Sequence, residues 1–165
     1  MGDRTSLYIS QMSPPQRKLL QMSVHINPMM VAHSDGSYSL FESAAFAEAV
    51  RTLINDEGYR PLLALAGSEP ISDAALRVML EEHSRDVDGY LKQVAELLAV
   101  MPQDAAEAYR RFTLFAIVKV AEASKDGLFG LFGDRISTSE KTVMRRMVQV
   151  LQLPLDEATA AKLGM

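Results

Sequence analysis

The sequence predicts an all-α fold, a single compact domain of about seven or eight helices. No segment shows sustained alternation of apolar and polar residues, the pattern typical of a half-buried strand. Apolar residues instead recur at three- and four-residue spacing, most clearly from Val87 to Met101. Proline, glycine and capping residues fall mostly where such helices would begin or end. With 48% hydrophobic and 23% charged residues, 165 residues are enough for one globular core.

Helix signals begin at Ser13, an N-cap followed by two prolines whose fixed φ suits a first helical turn. A second helix is expected from about Ser23 to Ser34, and Pro28 either starts it or kinks it early. Gly36 after Asp ends that helix as a left-handed stop. The next helix is predicted from Leu40 to Ile54 by apolar residues at four-residue spacing.

In the second half, Ser72 caps a helix and Val87–Met101 fits the amphipathic template over four turns. Asp104 is expected to cap a helix that runs to about Ser124. Apolar side chains occupy nearly every face of this helix, so it should lie at the centre of the domain. Phe112, Phe115 and Ile117 are expected to face the core. A helix from Ser139 to Gln152 and a short terminal helix after Pro154 complete the chain.

An internal repeat organises this helical pattern. The stretch Val31–Glu42 recurs in looser form as Ala123–Glu140, in which residues 128–134 are an insert of sequence LFGLFGD. Two Asp residues, Asp35 and Asp126, therefore stand 91 positions apart, whereas the matching Glu residues stand 98 apart. The repeat divides the domain into a first copy at about 13–67, a second at about 104–153 and connecting helices at 72–101.

Both loops of the repeat carry a capping box, because Ser39 precedes Glu42 by three residues and Ser137 precedes Glu140 by three. The first loop also matches the second half of an EF-hand calcium loop, since Glu42 follows Asp35 by seven residues. The first and third EF-hand positions would be Val31 and His33, which offer no carboxylate, so a true EF-hand is not expected.

The two loops, HSDGSYSLFE and SKDGLFGLFGDRISTSE, resemble those of the tellurite-resistance TerB-like family. The resemblance covers roughly Ser13–Leu153, although His33, Ser34 and Lys125 stand where that family usually has small residues. It implies an all-helical domain whose halves are related by a pseudo-two-fold axis, with no known catalysis. The relatives that it implies include tellurite and stress-response proteins at the inner face of bacterial membranes, and membrane-anchored DnaJ-like co-chaperones.

The same resemblance implies candidate metal ligands, because some family members are thought to bind divalent cations through these loops. Carried over by position, the ligands for a cation such as calcium would be Asp35, Glu42, Asp126 and Glu140. Hard cations take six or more oxygen ligands, so two carboxylates in each loop predict weak binding. The alternative is that both Glu residues serve only as helix caps.

Several classes of function are disfavoured. A net charge of −4 argues against nucleic acid, and the nearest basic cluster is interpreted as solvated helix faces: Arg110, Arg111, Arg145 and Arg146. The absence of cysteine excludes disulfides and thiolate sites, and no nucleophile, phosphate-loop or His-Glu-x-x-His motif occurs. The leading prediction is a non-enzymatic, cytoplasmic protein-interaction or stress-response module. The alternatives are a weak cation sensor or buffer and an uncharacterised small-molecule enzyme.

The insert is the candidate interaction surface. It places four large apolar side chains in a loop that the first copy of the repeat lacks: Leu128, Phe129, Leu131 and Phe132. Either these side chains fold back onto a groove of the domain, or they are offered to a partner helix or a membrane surface.

Overall fold

The computed structural model describes residues 4–36, 40–63, 71–123 and 136–165, and these ranges are helical without any strand. The predicted all-α class is confirmed. None of the helices in these ranges is both long and apolar enough to cross a membrane. The elements are α1 (Arg4–Gln11), α2 (Pro14–Ala32), η1 (a 3-10 turn, His33–Asp35), α3 (Leu40–Asn55), η2 (a 3-10 helix, Glu57–Leu62), α4 (Asp73–Ser84), α5 (Val87–Val100), α6 (Gln103–Ala123), α7 (Thr138–Leu151) and α8 (Glu157–Leu163).

The region predicted as two helices is one helix of 19 residues, α2. Its start is as expected, because Ser13 and Gln16 form a reciprocal capping box. Pro28 lies inside the helix, and the buried residues Ile26 and Met30 flank it on either side. Packing of this face against the core therefore outweighs the lost amide of the proline. The end is as predicted, since Gly36 has a φ of 84°.

Helix α1 was not predicted. It is fixed by long-range contacts, because Ile9 and Met12 are buried and the Tyr8 hydroxyl donates to the Leu97 carbonyl oxygen at 3.0 Å. Neither contact leaves a periodic signal in a segment this short.

Helices α2 and α6 pack against each other at the centre of the fold. Helix α3 and η2 pack on α6, whereas α7 packs on α2 and α5, and α4 also lies against α2. Phe112 and Ile117 of α6 face the core as expected. Phe115 packs only at the edge of the core and remains partly exposed. The two-fold relation between the repeats stays a prediction.

A buried hydrogen-bonded chain crosses this α2–α6 contact. The Ser23 hydroxyl donates its one hydrogen to the Leu20 carbonyl at 2.7 Å, so the Tyr109 hydroxyl, also at 2.7 Å, must donate to Ser23. Asn27 Nδ2 donates to the Tyr109 hydroxyl at 2.9 Å, and Asn27 Oδ1 accepts from Tyr90 at 2.7 Å. The chain therefore has one direction and ties α5, α2 and α6 together.

Burial keeps both tyrosines of this chain protonated. It raises the pKa of Tyr109 to about 12, although the hydrogen bonds that Tyr109 makes with Ser23 and Asn27 oppose the rise. Burial also raises the pKa of Tyr90 well above its ordinary value, and the neighbouring Tyr109 adds to that rise. A raised folded-state pKa contributes stability below about pH 10, the unfolded pKa of tyrosine, and this stability is lost as the pH rises towards 12.

We expect Tyr109→Phe to lower the free energy of unfolding by about 1–3 kcal/mol at neutral pH, because the buried Asn27 amide would lose its acceptor. Between about pH 10 and pH 12 the unfolding free energy of the variant should fall less steeply than that of the wild type. Urea unfolding across this range measures both effects. Tyr59 is a partly buried ring that contacts Phe112 edge-on, and burial raises its pKa as well. Tyr59→Phe is therefore the comparison, and it should change the slope less than Tyr109→Phe does. Equal slopes for the wild type and Tyr109→Phe would contradict the assignment.

Candidate functional site

The second loop of the repeat ends in the predicted capping box. Ser137 Oγ accepts from the Glu140 amide at 3.2 Å, and Glu140 Oε2 accepts from the Ser137 amide at 2.7 Å. The Glu140 carboxylate is fully buried, and its Oε1 makes no hydrogen bond within the described residues. One oxygen of this carboxylate therefore caps the helix, and the other is not used by the cap.

The other candidate ligands are only partly described. Glu42 is buried in the first turn of α3, but Ser39 and Asp126 lie outside the described residues. The backbone of Asp35 belongs to η1, which packs against α7, the helix that carries Glu140. The start of the first loop thus lies against the helix that follows the second loop. Among the described residues, no three His, Asp or Glu side chains are grouped so that they could hold a metal ion.

A surface cleft lies beside α6. The segment after α7 runs alongside α6, because Arg110 Nε donates to the Leu151 carbonyl at 2.9 Å and Lys162 pairs with Glu122 at 2.5 Å. Arg110 and Glu122 are separated by about 18 Å along the helix, given its rise of about 1.5 Å per residue. The segment from Leu151 to Lys162 therefore runs in the same direction as α6, with the cleft between the two.

This α6–α8 cleft has a volume of about 400 Å³. Its floor is apolar and consists of Leu114, Phe115 and Val118, all only partly buried. Pro154 and Thr159 line the opposite wall. Phe115 thus serves two purposes, because it packs at the edge of the core and also lines the cleft.

The charged residues at the rim of the cleft already have contacts within the chain. Lys119 pairs with Glu48 at 2.9 Å and lies 5.4 Å from the centre of the Phe115 ring. Arg111 donates to the Gly58 carbonyl at 2.9 Å, and Glu122 pairs with Lys162. The cleft is lined by two cations and two anions, namely Arg111, Lys119, Glu122 and Asp156. It therefore offers an apolar floor without one dominant charge. Such a surface is suited to apolar side chains of a protein.

The four arginines interpreted as solvated faces also contact neighbouring elements, while Arg111 and Arg146 remain exposed and Arg110 and Arg145 are partly buried. A guanidinium group is long and rich in donors, and it readily binds the carbonyl or carboxylate groups at the ends of adjacent helices. The contacts are Arg110 with the Leu151 carbonyl, Arg111 with the Gly58 carbonyl, Arg145 with the Leu163 carbonyl, and Arg146 with the Asp88 carboxylate.

The cleft was missed in the sequence, although a signal for it was present. The apolar residues around the whole circumference of α6 predicted a central helix. In a helix of this kind, the neighbouring elements can leave one apolar face uncovered. Here the uncovered face carries Leu114, Phe115 and Val118. The apolar insert, Leu128, Phe129, Leu131 and Phe132, lies outside the described residues.

Comparison with protein-family models, with curated proteins and with solved structures finds no match to this chain.

Proposed function

We propose that the chain is a non-catalytic protein-interaction module that engages its partner through the α6–α8 cleft. The observation that carries this proposal is the apolar floor of Leu114, Phe115 and Val118, partly exposed on a helix that otherwise packs in the core. Covering such side chains with a partner removes apolar area from water and gains roughly 25 cal/mol for each Å². Aliphatic and aromatic anchors at the centre of a patch are the usual source of binding energy.

The positions of the perturbed titratable groups support a non-catalytic role. Strongly shifted pKa values tend to mark catalytic sites. Here the largest rises in pKa belong to Tyr90 and Tyr109, which lie in the core and hydrogen-bond to other buried side chains. Burial explains these shifts without a reaction.

The cellular role is proposed from the loops. The Ser137–Glu140 capping box and the helical architecture agree with the resemblance to TerB-like domains. On that basis the module acts in a stress response such as tellurite resistance. It works in the cytoplasm, with a protein partner there or at the inner face of the membrane.

We expect Val118→Asp to weaken partner capture at least about tenfold, because a buried, unpaired carboxylate in the interface costs more than 1.4 kcal/mol. The matched control is Val78→Asp on α4, where the valine is 66% exposed and outside the cleft. Capture is measured by quantitative pull-down with both variants and the wild type. Circular dichroism checks that the helical content is unchanged.

Equal capture by Val118→Asp and Val78→Asp would contradict the proposal. If Val118→Asp lowers the helical content, Val118→Ser provides the milder test at the same position, with Val78→Ser as its control.

The insert remains a second predicted contact. Replacing Leu128, Phe129, Leu131 and Phe132 together with Ser should leave the helical content intact and weaken partner capture, because loops of this composition offer apolar surface. Circular dichroism and the same pull-down measure the two effects. A variant that fails to fold would show that these side chains belong to the core, and unchanged capture would remove them from the interaction surface.

A second candidate function is divalent-cation binding in the loops. The observation that favours it is the buried Glu140 carboxylate, whose Oε1 makes no hydrogen bond within the described residues. A hard cation would take such an oxygen as a ligand. The remaining predicted ligands are Asp35, Glu42 and Asp126, together with backbone and water oxygens.

If a cation binds, calcium should raise the melting temperature of the wild type, because a ligand of the native state alone adds about 2.7 kcal/mol at one hundred times its Kd. Glu140→Gln should abolish the shift, since glutamine can still accept the Ser137 amide but carries no charge. Thermal unfolding with calcium, magnesium or a chelator makes the measurement, and Glu81→Gln at an exposed site is the control. Equal calcium shifts in the wild type and Glu140→Gln would exclude this site.

A further inference from the structure

The two cations that line the α6–α8 cleft in the described ranges are engaged within the chain. Arg111 donates to the Gly58 carbonyl at 2.9 Å. Lys119 pairs with Glu48 of α3 at 2.9 Å, and its ammonium group lies 5.4 Å from the centre of the Phe115 ring. An acidic group of a partner would therefore have to compete with a carbonyl or a carboxylate of this chain.

The two anions of the same lining are engaged in the same way. Glu122 pairs with Lys162 at 2.5 Å. The Asp156 carboxylate accepts from the Thr159 amide at 2.6 Å and so caps the first turn of α8. A basic group of a partner would therefore have to compete with an ammonium group or a helix amide that is already in place.

The floor between these charges is a continuous apolar stripe. Leu114, Phe115 and Val118 lie on one face of α6, because residues three and four apart are neighbours on a helix. The stripe and its flanking charges extend about 16 Å from Arg111 to Glu122, at a rise of about 1.5 Å per residue. An ion placed on this floor would lose its water without gaining a partner, whereas an apolar side chain would lose only unfavourable contact with water.

We propose that the partner fills the cleft with a segment whose contacting side chains are apolar and uncharged, and that the rim selects neither sign of charge. This inference rests on the proposed function and names the chemistry of its partner. The lining cations and anions balance one another and each is engaged, so neither a basic nor an acidic segment gains at the rim. Engaged polar groups around an apolar centre also exclude water from the anchors at that centre. The net charge of −4 acts from farther away and is screened by physiological salt.

Fluorescence anisotropy with three synthetic peptides tests the indifference to charge. Each peptide has about 12 residues, which as a helix matches the length of the stripe, with a leucine and alanine face and capped ends. The other face is glutamine alone, or glutamine with two lysines, or glutamine with two glutamates. At about 0.15 M salt the three affinities should agree within about threefold, because exposed charges contribute little. A tenfold preference for either charged peptide would overturn the proposal.

A second peptide pair tests the floor. A central leucine of the glutamine peptide is replaced with lysine in one peptide and with glutamate in the other. Both should bind at least about tenfold more weakly than the parent, because either ion would rest on the apolar floor without a partner. Undiminished binding of either peptide would overturn the assignment of the floor.

Two variants of the chain test the balance of the rim. Arg111→Gln leaves one cation and two anions, and it should favour the two-lysine peptide over the two-glutamate peptide by about two- to fivefold. Asp156→Asn leaves two cations and one anion, and it should reverse that preference, while asparagine still caps α8. Identical preferences in the two variants would show that the rim charges do not act as a balanced set and would overturn the proposal.

This inference and the proposed function fail in different ways. If Val118→Asp captures the partner as well as Val78→Asp does, the cleft is not the interaction surface and the proposed function is wrong. If Val118→Asp loses capture but wild-type capture falls steeply with salt, the cleft stands and the uncharged segment is wrong. Self-association of the wild type that Val118→Asp abolishes, measured by sedimentation, would assign the cleft to a second copy of the chain and would also overturn this inference.

Discussion

The contact between α2 and α6 is the constraint on which the rest of the structure depends. At its centre, Tyr109 donates to Ser23 and accepts from Asn27, all three fully buried. A buried hydroxyl or amide costs free energy unless it is paired, so the two helices can meet in one register only. Most of the remaining elements pack on one or both of these helices, so their positions depend on that register. These elements are α3, η2, α4, α5 and α7.

Arginine contacts then fix the ends of the outer elements. Arg110 and Arg145 bind the last carbonyls of α7 and α8, where the helix dipole is negative and the carbonyls have no partner within their own helix. Arg110 of α6 thus binds the end of α7, and Arg145 of α7 binds the end of α8. The C-terminal segment is therefore aligned along α6 by its ends, and the cleft remains between them.

The cleft follows from the central position of α6. A helix with apolar residues on every face must have each face covered by a neighbour, by the chain's own flanking segments or by a partner. Phe112 and Ile117 are covered by the core, whereas Leu114 and Val118 are only partly covered by the segment around Pro154. Interaction surfaces on small helical domains can arise in this way, without any catalytic side chain.

The sequence alone determined the helical class and those boundaries that depend on local chemistry. Ser13, Gly36, Ser72 and the capping box at Ser137 act within one turn, so their signals are complete in a few residues.

Tertiary structure decided what depends on residues far apart in the chain. Pro28 remains inside α2 because both of its neighbouring turns are buried, and α1 forms because Tyr8 reaches Leu97. The arginines bind distant carbonyls, and the face of α6 that stays open depends on where the segment after α7 runs. Local spacing cannot encode such choices, because the same amphipathic stripe can be covered by any of several neighbours and only packing of the whole chain selects one.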